Sequence, residues 1–266
     1  MATIVLRIVI WTLVLIFLIS LLVIGLTGNL FNRFVDLSGL SSIYGGGDKY
    51  TVGGGNVGGE SINIIKINWV SGRVDVVTHD GEDIIFSESG DDYLDSNEKM
   101  RYLAEDGVLD IRFSGNSIFT PSCGLNMLEK KNLKVMIPEN LKFDAVEISA
   151  VSASVTLQPV KVSSLSVRTT SGSIETGGAD GDKFVFSSVS GKAELQNLTG
   201  NSIDVSTTSG SISLTGCEFD SAKLSSVSGR ITAEGKYADI DGSNVSGKID
   251  ITPGAGAGNI KTSTVS

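Results

Sequence analysis

The sequence predicts an all-β fold, namely a parallel β-solenoid (β-helix-like) of about 19-residue coils, preceded by one N-terminal transmembrane α-helix. Three observations predict it: a Ser-Gly pair that returns at a fixed spacing, apolar residues at the same places around each pair, and one long uncharged apolar run. The predicted parts are a short cytoplasmic tail (1–7), a transmembrane anchor (8–27), a glycine-rich tether (28–60) and a β-strand repeat domain (61–266), with the regular repeats in 146–266.

The Ser-Gly pair defines the repeat unit. The glycines of successive pairs, here called marker glycines, keep one constant spacing from Gly172 to Gly229, and the next one, Gly247, follows one residue sooner. The predicted structural turns are Ser71, Gly72, Ser171, Gly172, Ser190, Gly191, Ser209, Gly210, Ser228, Gly229, Ser246 and Gly247. At each turn we expect the glycine to supply a positive φ and the serine to bond the local backbone.

Apolar residues form columns on both sides of the marker glycine. Five positions before it stand Val167, Phe186, Val205 and Leu224, and two positions after it stand Ile174, Ala193, Ile212, Ile231 and Ile249. Apolar positions two apart indicate two short strands per unit, each with one inward face. Stacked coils would close columns that one unit could not bury, which favours a solenoid over the alternative, a meander of antiparallel hairpins.

A second period, two units long, overlies the first. Thr169-Thr170 and Thr207-Thr208 alternate with Ser188-Val189 and Ser226-Val227. The alternation either separates charges and hydroxyls between neighbouring coils or remains from tandem duplication.

The sequence stops where the next marker glycine would stand, without an evident cap, so either the chain continues or the final coil pairs with something else.

The run from Ile8 to Leu26 contains no charged residue and is long enough, at about 30 Å as a helix, to cross a bilayer. A cleaved signal peptide would have a shorter apolar region and a small-residue cleavage site, which Thr27 to Phe31 do not provide. The short preceding tail and the long following domain predict a single-pass protein of the cell membrane with an extracellular repeat domain. The bilayer is then a partner through residues 8–27.

Composition excludes several classes of function. A net charge of −9 without a basic stripe argues against nucleic acid as a partner. One histidine and two separated cysteines predict no metal and no cofactor. Cys123 and Cys217 are expected to form either a disulfide or two buried thiols, and their spacing does not decide between them.

Few residues suggest chemistry. His79 precedes Asp80-Gly81 in a polar segment that predicts a turn between strands rather than a base or metal ligand. Trp69 is interpreted as a core residue rather than a sugar platform. Asp180 and Asp182 resemble calcium turns of some β-rolls, but the next unit does not repeat them.

The repeated TTSGSI and SVSGK/RI units and the segment LKVMIPENLKFDAVEISAVSASVTL (Leu133 to Leu157) resemble the bacterial putative-adhesin family of β-strand repeat proteins of unknown function. Its LiaG-like members belong to operons of Gram-positive cell-envelope stress. The resemblance extends from about Glu60 to the end and implies a β-strand repeat domain without established catalytic residues.

The sequence therefore predicts a membrane-anchored extracytoplasmic module that is not an enzyme, has no catalytic residues, and binds or adheres at the cell envelope, with a link to envelope stress. Its envelope or protein partner is not specified, and self-association is left open. The alternative is a carbohydrate-active β-helix enzyme acting on envelope polysaccharide. That alternative needs carboxylates close together on neighbouring coils, for which Glu175, Glu194 and Asp250 are the candidates.

Overall fold

A computed structural model describes residues 49–90, 94, 96, 98–114, 131–254 and 258–265. Apart from 3-10 conformation at Lys49 and at Gly59–Ser61, the regular structure of these residues is β-strand. The strands are β1 (Thr51–Val52), β2 (Gly55–Gly58), β3 (Ile64–His79), β4 (Asp83–Ser89), β5 (Arg101–Glu105), β6 (Val108–Arg112), β7 (Lys131–Pro138), β8 (Lys142–Leu157), β9 (Val160–Thr169), β10 (Ile174–Thr176), β11 (Ala179–Asp180), β12 (Lys183–Ser188), β13 (Ala193–Gln196), β14 (Leu198–Thr207), β15 (Ile212–Ser226), β16 (Ile231–Asn244), β17 (Ile249–Pro253) and β18 (Asn259–Thr264).

The predicted tail (1–7) and anchor (8–27) lie outside the described residues. Within the described part of the chain, no helix is long and apolar enough to span a bilayer.

From β8 onward, each strand pairs in parallel with the strand one coil later. Ile174 pairs with Ala193, Ala193 with Ile212, and Ile212 with Ile231, so the register advances by one repeat unit at each step. The predicted parallel solenoid is confirmed, and the hairpin meander is wrong. Like residues lie over like residues because parallel pairing preserves position within the repeat.

Each coil has three sides, whereas the sequence predicted two strands. The first side, here called the pre-turn face, is formed by the strands that precede the Ser-Gly turn, and Phe184 pairs with Ile203 on it. The second side, the post-turn face, is formed by the strands that follow the turn. The third side is a short face, on which Ala179 pairs with Leu198. The short face is too narrow to show a visible alternation of apolar and polar residues in the sequence.

One bulge explains why the last repeat is one residue shorter than the others. Thr215 pairs with Glu234 but Cys217 pairs with Gly235, so Gly216 has no counterpart in the following coil. Gly216 has a φ of 66°, which glycine adopts without strain. The following coil lacks one residue at this corner, and its strands still pair in register with those of the preceding coil on both sides of the corner.

Inward side chains fill the space between the three sides. The predicted column before the marker glycine is part of this core, since Val167, Phe186, Val205 and Leu224 are fully buried. Space beside the Phe184 ring is left by a glycine, since a Cβ on Gly200 would lie 2.7 Å from that ring.

The first coils are not stacked in chain order. The second half of β3 lies between β7 and β8, with Gly72 paired to Lys131 on one side and to Ala153 on the other. The first half of β3 lies between β6 and β8. Outside β6 and β7, the antiparallel strands β1, β2, β4 and β5 cover this end of the stack. Antiparallel cover of this kind protects a solenoid end from further pairing.

The end of the predicted tether differs from the prediction. Residues 51–58 include β1 and β2, which pair with β5 and β4. The hydroxyl of Tyr50 donates to Asp110 Oδ2 at 2.7 Å, and the Arg112 guanidinium lies 4.4 Å from the centre of the Tyr50 ring. Glycine composition predicted a flexible segment here, but pairing with strands that lie far along the chain leaves no local signal in sequence.

Candidate binding surface

The marker glycines are required by the close approach of neighbouring coils. A Cβ on Gly172 would overlap the carbonyl oxygen of Ala153, and a Cβ on Gly191 would overlap that of Gly172. The same overlap recurs at Gly210 and Gly229. A positive φ was expected at these positions, but Gly72 is the marker glycine that has one, at 99°. The glycine therefore serves close packing rather than an unusual backbone angle.

The local hydrogen bond of the turn comes from a buried hydroxyl three positions before the glycine. The Gly191 N–H donates to Ser188 Oγ at 2.7 Å, and the Gly210 N–H donates to Thr207 Oγ1 at 2.9 Å. The serine that precedes the glycine instead reaches the neighbouring coil, as where Ser190 Oγ donates to the Thr170 carbonyl at 3.3 Å. Threonine and serine alternate at this position from coil to coil, and the hydroxyl of either residue accepts the same hydrogen bond from the glycine N–H.

Polar side chains form straight rows on the pre-turn face. One row follows the register through Asp204, Lys223, Asp241 and Lys261, so that charges of opposite sign alternate from coil to coil. A parallel row is made of serines and one arginine. Its members are Ser149, Arg168, Ser187, Ser206, Ser225, Ser243 and Ser263.

An open groove of about 760 Å³ lies on the post-turn face, where β4, β7, β3 and β8 are adjacent. We call it the post-turn furrow, and its polar lining consists of Arg73, Asp75, Ser87, Ser89, Asn132, Lys134 and Ser154. These side chains face outward because they alternate with buried residues along each strand. The furrow runs across the strands, parallel to the axis along which the coils stack.

The charges of the furrow are not neutralised internally. Asp75 pairs in register with Lys134, and Arg73 pairs with Asn132. Neither Arg73, Asp75 nor Lys134 forms an ion pair with another described residue. Two cations and one anion give the furrow a positive balance on a chain of net charge −9.

A buried ion pair fixes the two strands that carry half of this lining. Lys131 is 1% exposed, and its Nζ lies 3.0 Å from Glu88 Oε2, off the line of a good hydrogen bond. The ammonium also donates to the Phe113 carbonyl at 2.5 Å and lies 4.1 Å from the centre of the Phe113 ring. Sequence reasoning missed this site, because neither residue stands in a recognisable pattern.

The pair determines where the furrow side chains point. Glu88 stands between Ser87 and Ser89 on β4, and Lys131 precedes Asn132 on β7. Inward anchoring of Glu88 therefore fixes the outward direction of both serines.

Trp69 supports the same strand from inside. It is fully buried, its Nε1–H donates to the Lys131 carbonyl at 2.9 Å, and its ring packs edge-on against Phe113 at 5.0 Å. The interpretation of Trp69 as a core residue is confirmed.

A second open groove lies at the corner between the post-turn and short faces. Its volume is about 810 Å³, and its lining includes Lys161, Asp180, Asn197 and Thr199. Asn197 has a φ of 52° and occupies the same corner as Gly216 does one coil later. Its lining also contains Glu139, so it carries two anions and one cation, the opposite charge balance to that of the post-turn furrow.

The carboxylates proposed for polysaccharide cleavage lie on the post-turn face. Glu175 pairs in register with Glu194, so these two are on neighbouring coils, while Asp250 lies three coils beyond Glu194. Lys192 forms an ion pair with Glu194, and Asp250 is paired with Arg230 and Lys248. Asp250 is thus separated from the other two, and cations already occupy two of the three carboxylates.

The remaining candidate residues, His79 and Asp182, form contacts within the protein that are typical of structural residues. His79 Nε2 lies 2.8 Å from the Asp83 carbonyl, and its Nδ1 accepts from the Gly81 N–H at 3.0 Å, as expected for a turn between β3 and β4. Asp182 forms an exposed ion pair with Lys142 at 3.8 Å. Among the residues that the structure describes, no group of His, Cys, Asp and Glu is arranged to hold a metal ion.

Cys217 is a buried free thiol. Burial raises its pKa, and its Sγ lies 3.6 Å from the Leu195 carbonyl. Cys123 lies outside the described residues. Burial also raises the pKa of Tyr237, whose ring lies next to this thiol in the core.

Comparison with known proteins gives the family. Among solved structures, a putative adhesin from Parabacteroides distasonis ATCC 8503 is 18% identical with a TM-score of 0.41, over 84% of this chain and 98% of that chain. A putative cell adhesion protein from Clostridium sporogenes ATCC 15579 is 12% identical with a TM-score of 0.35, over 81% of this chain and 100% of that chain. No curated protein matches the chain. Residues 62–266 match the family model described as Toastrack DUF4097, and the resemblance to the putative-adhesin family is confirmed. The chain belongs to the Toastrack DUF4097 family.

Proposed function

We propose that this chain is a non-enzymatic binding module, anchored in the cell membrane and exposed on its outer side, that holds a polar polymer of the cell envelope in the post-turn furrow. The observation that supports it is the furrow itself: an open groove lined by hydroxyls, an amide and three charged side chains that form no ion pair with one another. An extended polymer fits an open groove better than a compact small molecule does, since small-molecule sites enclose most of their ligand.

The charge of the furrow favours an anionic polymer. Arg73 and Lys134 are exposed and uncommitted, whereas the chain as a whole is acidic. A guanidinium binds carboxylate or phosphate groups with two hydrogen bonds, and an ammonium binds them as a point charge. Serine and asparagine side chains supply donors and acceptors for sugar hydroxyls. We therefore expect the ligand to be an acidic glycopolymer.

Sedimentation of the full chain, in detergent micelles, with purified acidic envelope polysaccharide tests the proposal. We expect saturable binding that weakens as salt is raised, because the furrow charges are exposed to solvent. Arg73→Ala with Lys134→Ala should raise Kd about tenfold, since two charged contacts are lost at about 0.7 kcal/mol each.

The matched control is Arg168→Ala with Lys183→Ala, which removes one arginine and one lysine from the exposed pre-turn face. Equal effects of the two double variants would show that net charge, not the furrow, determines binding. Absence of saturable binding to acidic and neutral envelope polymers would refute the proposed ligand class.

The anchor and the outward orientation of the repeat domain rest on the apolar run at 8–27 and the short preceding tail. Protease treatment of intact cells tests the orientation: the repeat domain should be cleaved without lysis, and protection until lysis would contradict it. The link to envelope stress follows from the family resemblance and stays a prediction. Deletion of the gene should change the survival of cells exposed to envelope-damaging agents, and unchanged survival would count against it.

A further inference from the structure

The Ser-Gly corner, which is the edge between the pre-turn and post-turn faces, carries an apolar surface that the core does not use. Two positions before the marker glycine, Val189 is 37% exposed and Val227 is 46% exposed. The coil between them has Thr208 at this position. A ligand that covers these valines would remove apolar surface from water on every second coil.

The same two coils also present a cation at this corner. One position after the marker glycine stand Lys192 and Arg230, whereas Ser211 occupies this position on the coil between them. Exposed valine and cation therefore recur together, with the two-unit period of the sequence.

The cations are accessible to an acidic ligand although they have partners on the same chain. Lys192 forms an ion pair with Glu194. Arg230 and Lys248 share one carboxylate, that of Asp250, and so keep a net positive charge between them. The side chains of the three cations are 53% to 65% exposed. Ion pairs with this exposure contribute little, so an acidic group of a ligand can compete for the cations.

The backbone fixes the spacing of these groups. The Ser209 N–H donates to the Val189 carbonyl at 2.8 Å. The Ser228 N–H donates to the Thr208 carbonyl at 3.0 Å in the same way. Strands bonded like this lie about 4.8 Å apart, so the exposed valines and the cations recur at about 10 Å. The exposed serine hydroxyls of the corner, including Ser190, recur on every coil.

We propose that the Ser-Gly corner binds a linear acidic polysaccharide whose disaccharide repeat carries one acidic group and one acetamido group. Two sugar units of an extended polysaccharide advance by about the distance between two coils. Each cation then contacts an acidic group, each exposed valine contacts an acetamido methyl, and the serines bond sugar hydroxyls. The inference rests on the proposed binding of an acidic glycopolymer, and it adds the chemical repeat of that polymer.

The row of positions that holds these cations continues into the post-turn furrow. Arg73 pairs in register with Ser154, and Ser173 Oγ donates to Ser154 Oγ at 3.2 Å. Lys192 follows Ser173 one coil later. One polymer chain laid along the stacking axis therefore contacts both the furrow and the corner.

Isothermal titration calorimetry of the full chain, in detergent micelles, with hyaluronan tests the proposal. Hyaluronan carries one carboxylate and one acetamido group in each disaccharide, and we expect saturable binding. Val189→Thr with Lys192→Ser converts one coil to the other type and removes the pair of sites two coils apart. Its Kd should rise about tenfold, because one apolar and one charged contact are lost.

The matched control is Val245→Thr with Lys248→Ser, which removes the same two residue types. Lys248 lies only one coil beyond Arg230, and an acidic group on every second sugar cannot serve both. The Kd of the control should therefore change less than twofold. All four positions are exposed or lie at the surface of the corner, and circular dichroism confirms that each variant retains its strands.

Equal Kd values for the two double variants would overturn the inference, since charge and not spacing would then determine binding. Absence of saturable binding to hyaluronan would overturn it as well. The furrow variant Arg73→Ala with Lys134→Ala separates the two proposals in the same titration. If it weakens binding and the Val189 and Lys192 variant does not, the inference fails and the furrow stands; the reverse result supports the corner and refutes the furrow.

Discussion

Replacement of a marker glycine by alanine tests whether the coils stack as closely as the structure shows. In Gly191→Ala, the new Cβ would overlap the Gly172 carbonyl oxygen, which would have to recede by on the order of 1 Å to restore an ordinary contact. Two backbone hydrogen bonds to the neighbouring coil lie beside it: Ser190 N–H to the Thr170 carbonyl at 3.0 Å, and Ile174 N–H to the Lys192 carbonyl at 2.8 Å.

A movement of that size would take both bonds out of hydrogen-bonding range. Each contributes about 1 kcal/mol net, and looser packing around them adds to the cost, so the free energy of unfolding should fall by about 3 kcal/mol. Urea unfolding followed by circular dichroism measures it.

The matched control is Gly177→Ala, where the nearest atom would lie 3.7 Å from the new Cβ and the backbone angle is ordinary. It should be neutral or stabilising by a few tenths of a kcal/mol. Equal losses in the two variants would refute the argument from close approach.

Three further perturbations follow from the described contacts. Thr207→Val removes the buried acceptor of the Gly210 N–H and should cost about 1–3 kcal/mol, whereas the same change at the neighbouring Thr208 should cost little, as urea midpoints would show. Lys131→Met leaves Glu88 buried without its cation and should cost about 3–5 kcal/mol, much of it recovered by adding Glu88→Gln, again measured by urea unfolding. Burial and a hydrogen bond to a carboxylate raise the pKa of Tyr50 to about 12. Its contribution to stability is present below pH 10 and lost as the pH rises from 10 to about 12, and Tyr50→Phe should remove that part of the alkaline loss in pH-dependent melting.

The repeat domain was predictable because its residue pattern returns at a fixed spacing along the sequence. Parallel stacking at a fixed period repeats the same residue types at the same places, so the columns through Val167 and Ile174 are visible without any knowledge of pairing. The Ser-Gly turn was visible for the same reason. Its physical cause was not, since the overlap at Gly191 involves a carbonyl from another coil.

The first coils and the furrow were not predictable in this way. β3 pairs with β8 although four strands separate them along the chain, and β7 enters between β3 and β4. No periodic pattern reports such pairings, and the lining of the furrow depends on them. Arg73, Asp75 and Lys134 stand in ordinary alternating strands, and only the register brings them together.

Cross-linking of introduced cysteines measures the parallel register most directly, in a background with Cys123→Ser and Cys217→Ala. The solenoid places Ser187 beside Ser206 on neighbouring coils of the pre-turn face, and it places Glu194 on the post-turn face. Ser187→Cys with Ser206→Cys should therefore cross-link rapidly with a short bifunctional thiol reagent, and Ser187→Cys with Glu194→Cys should not. A hairpin at Gly191 would bring the second pair together instead, and preferential cross-linking of that pair would contradict the parallel solenoid.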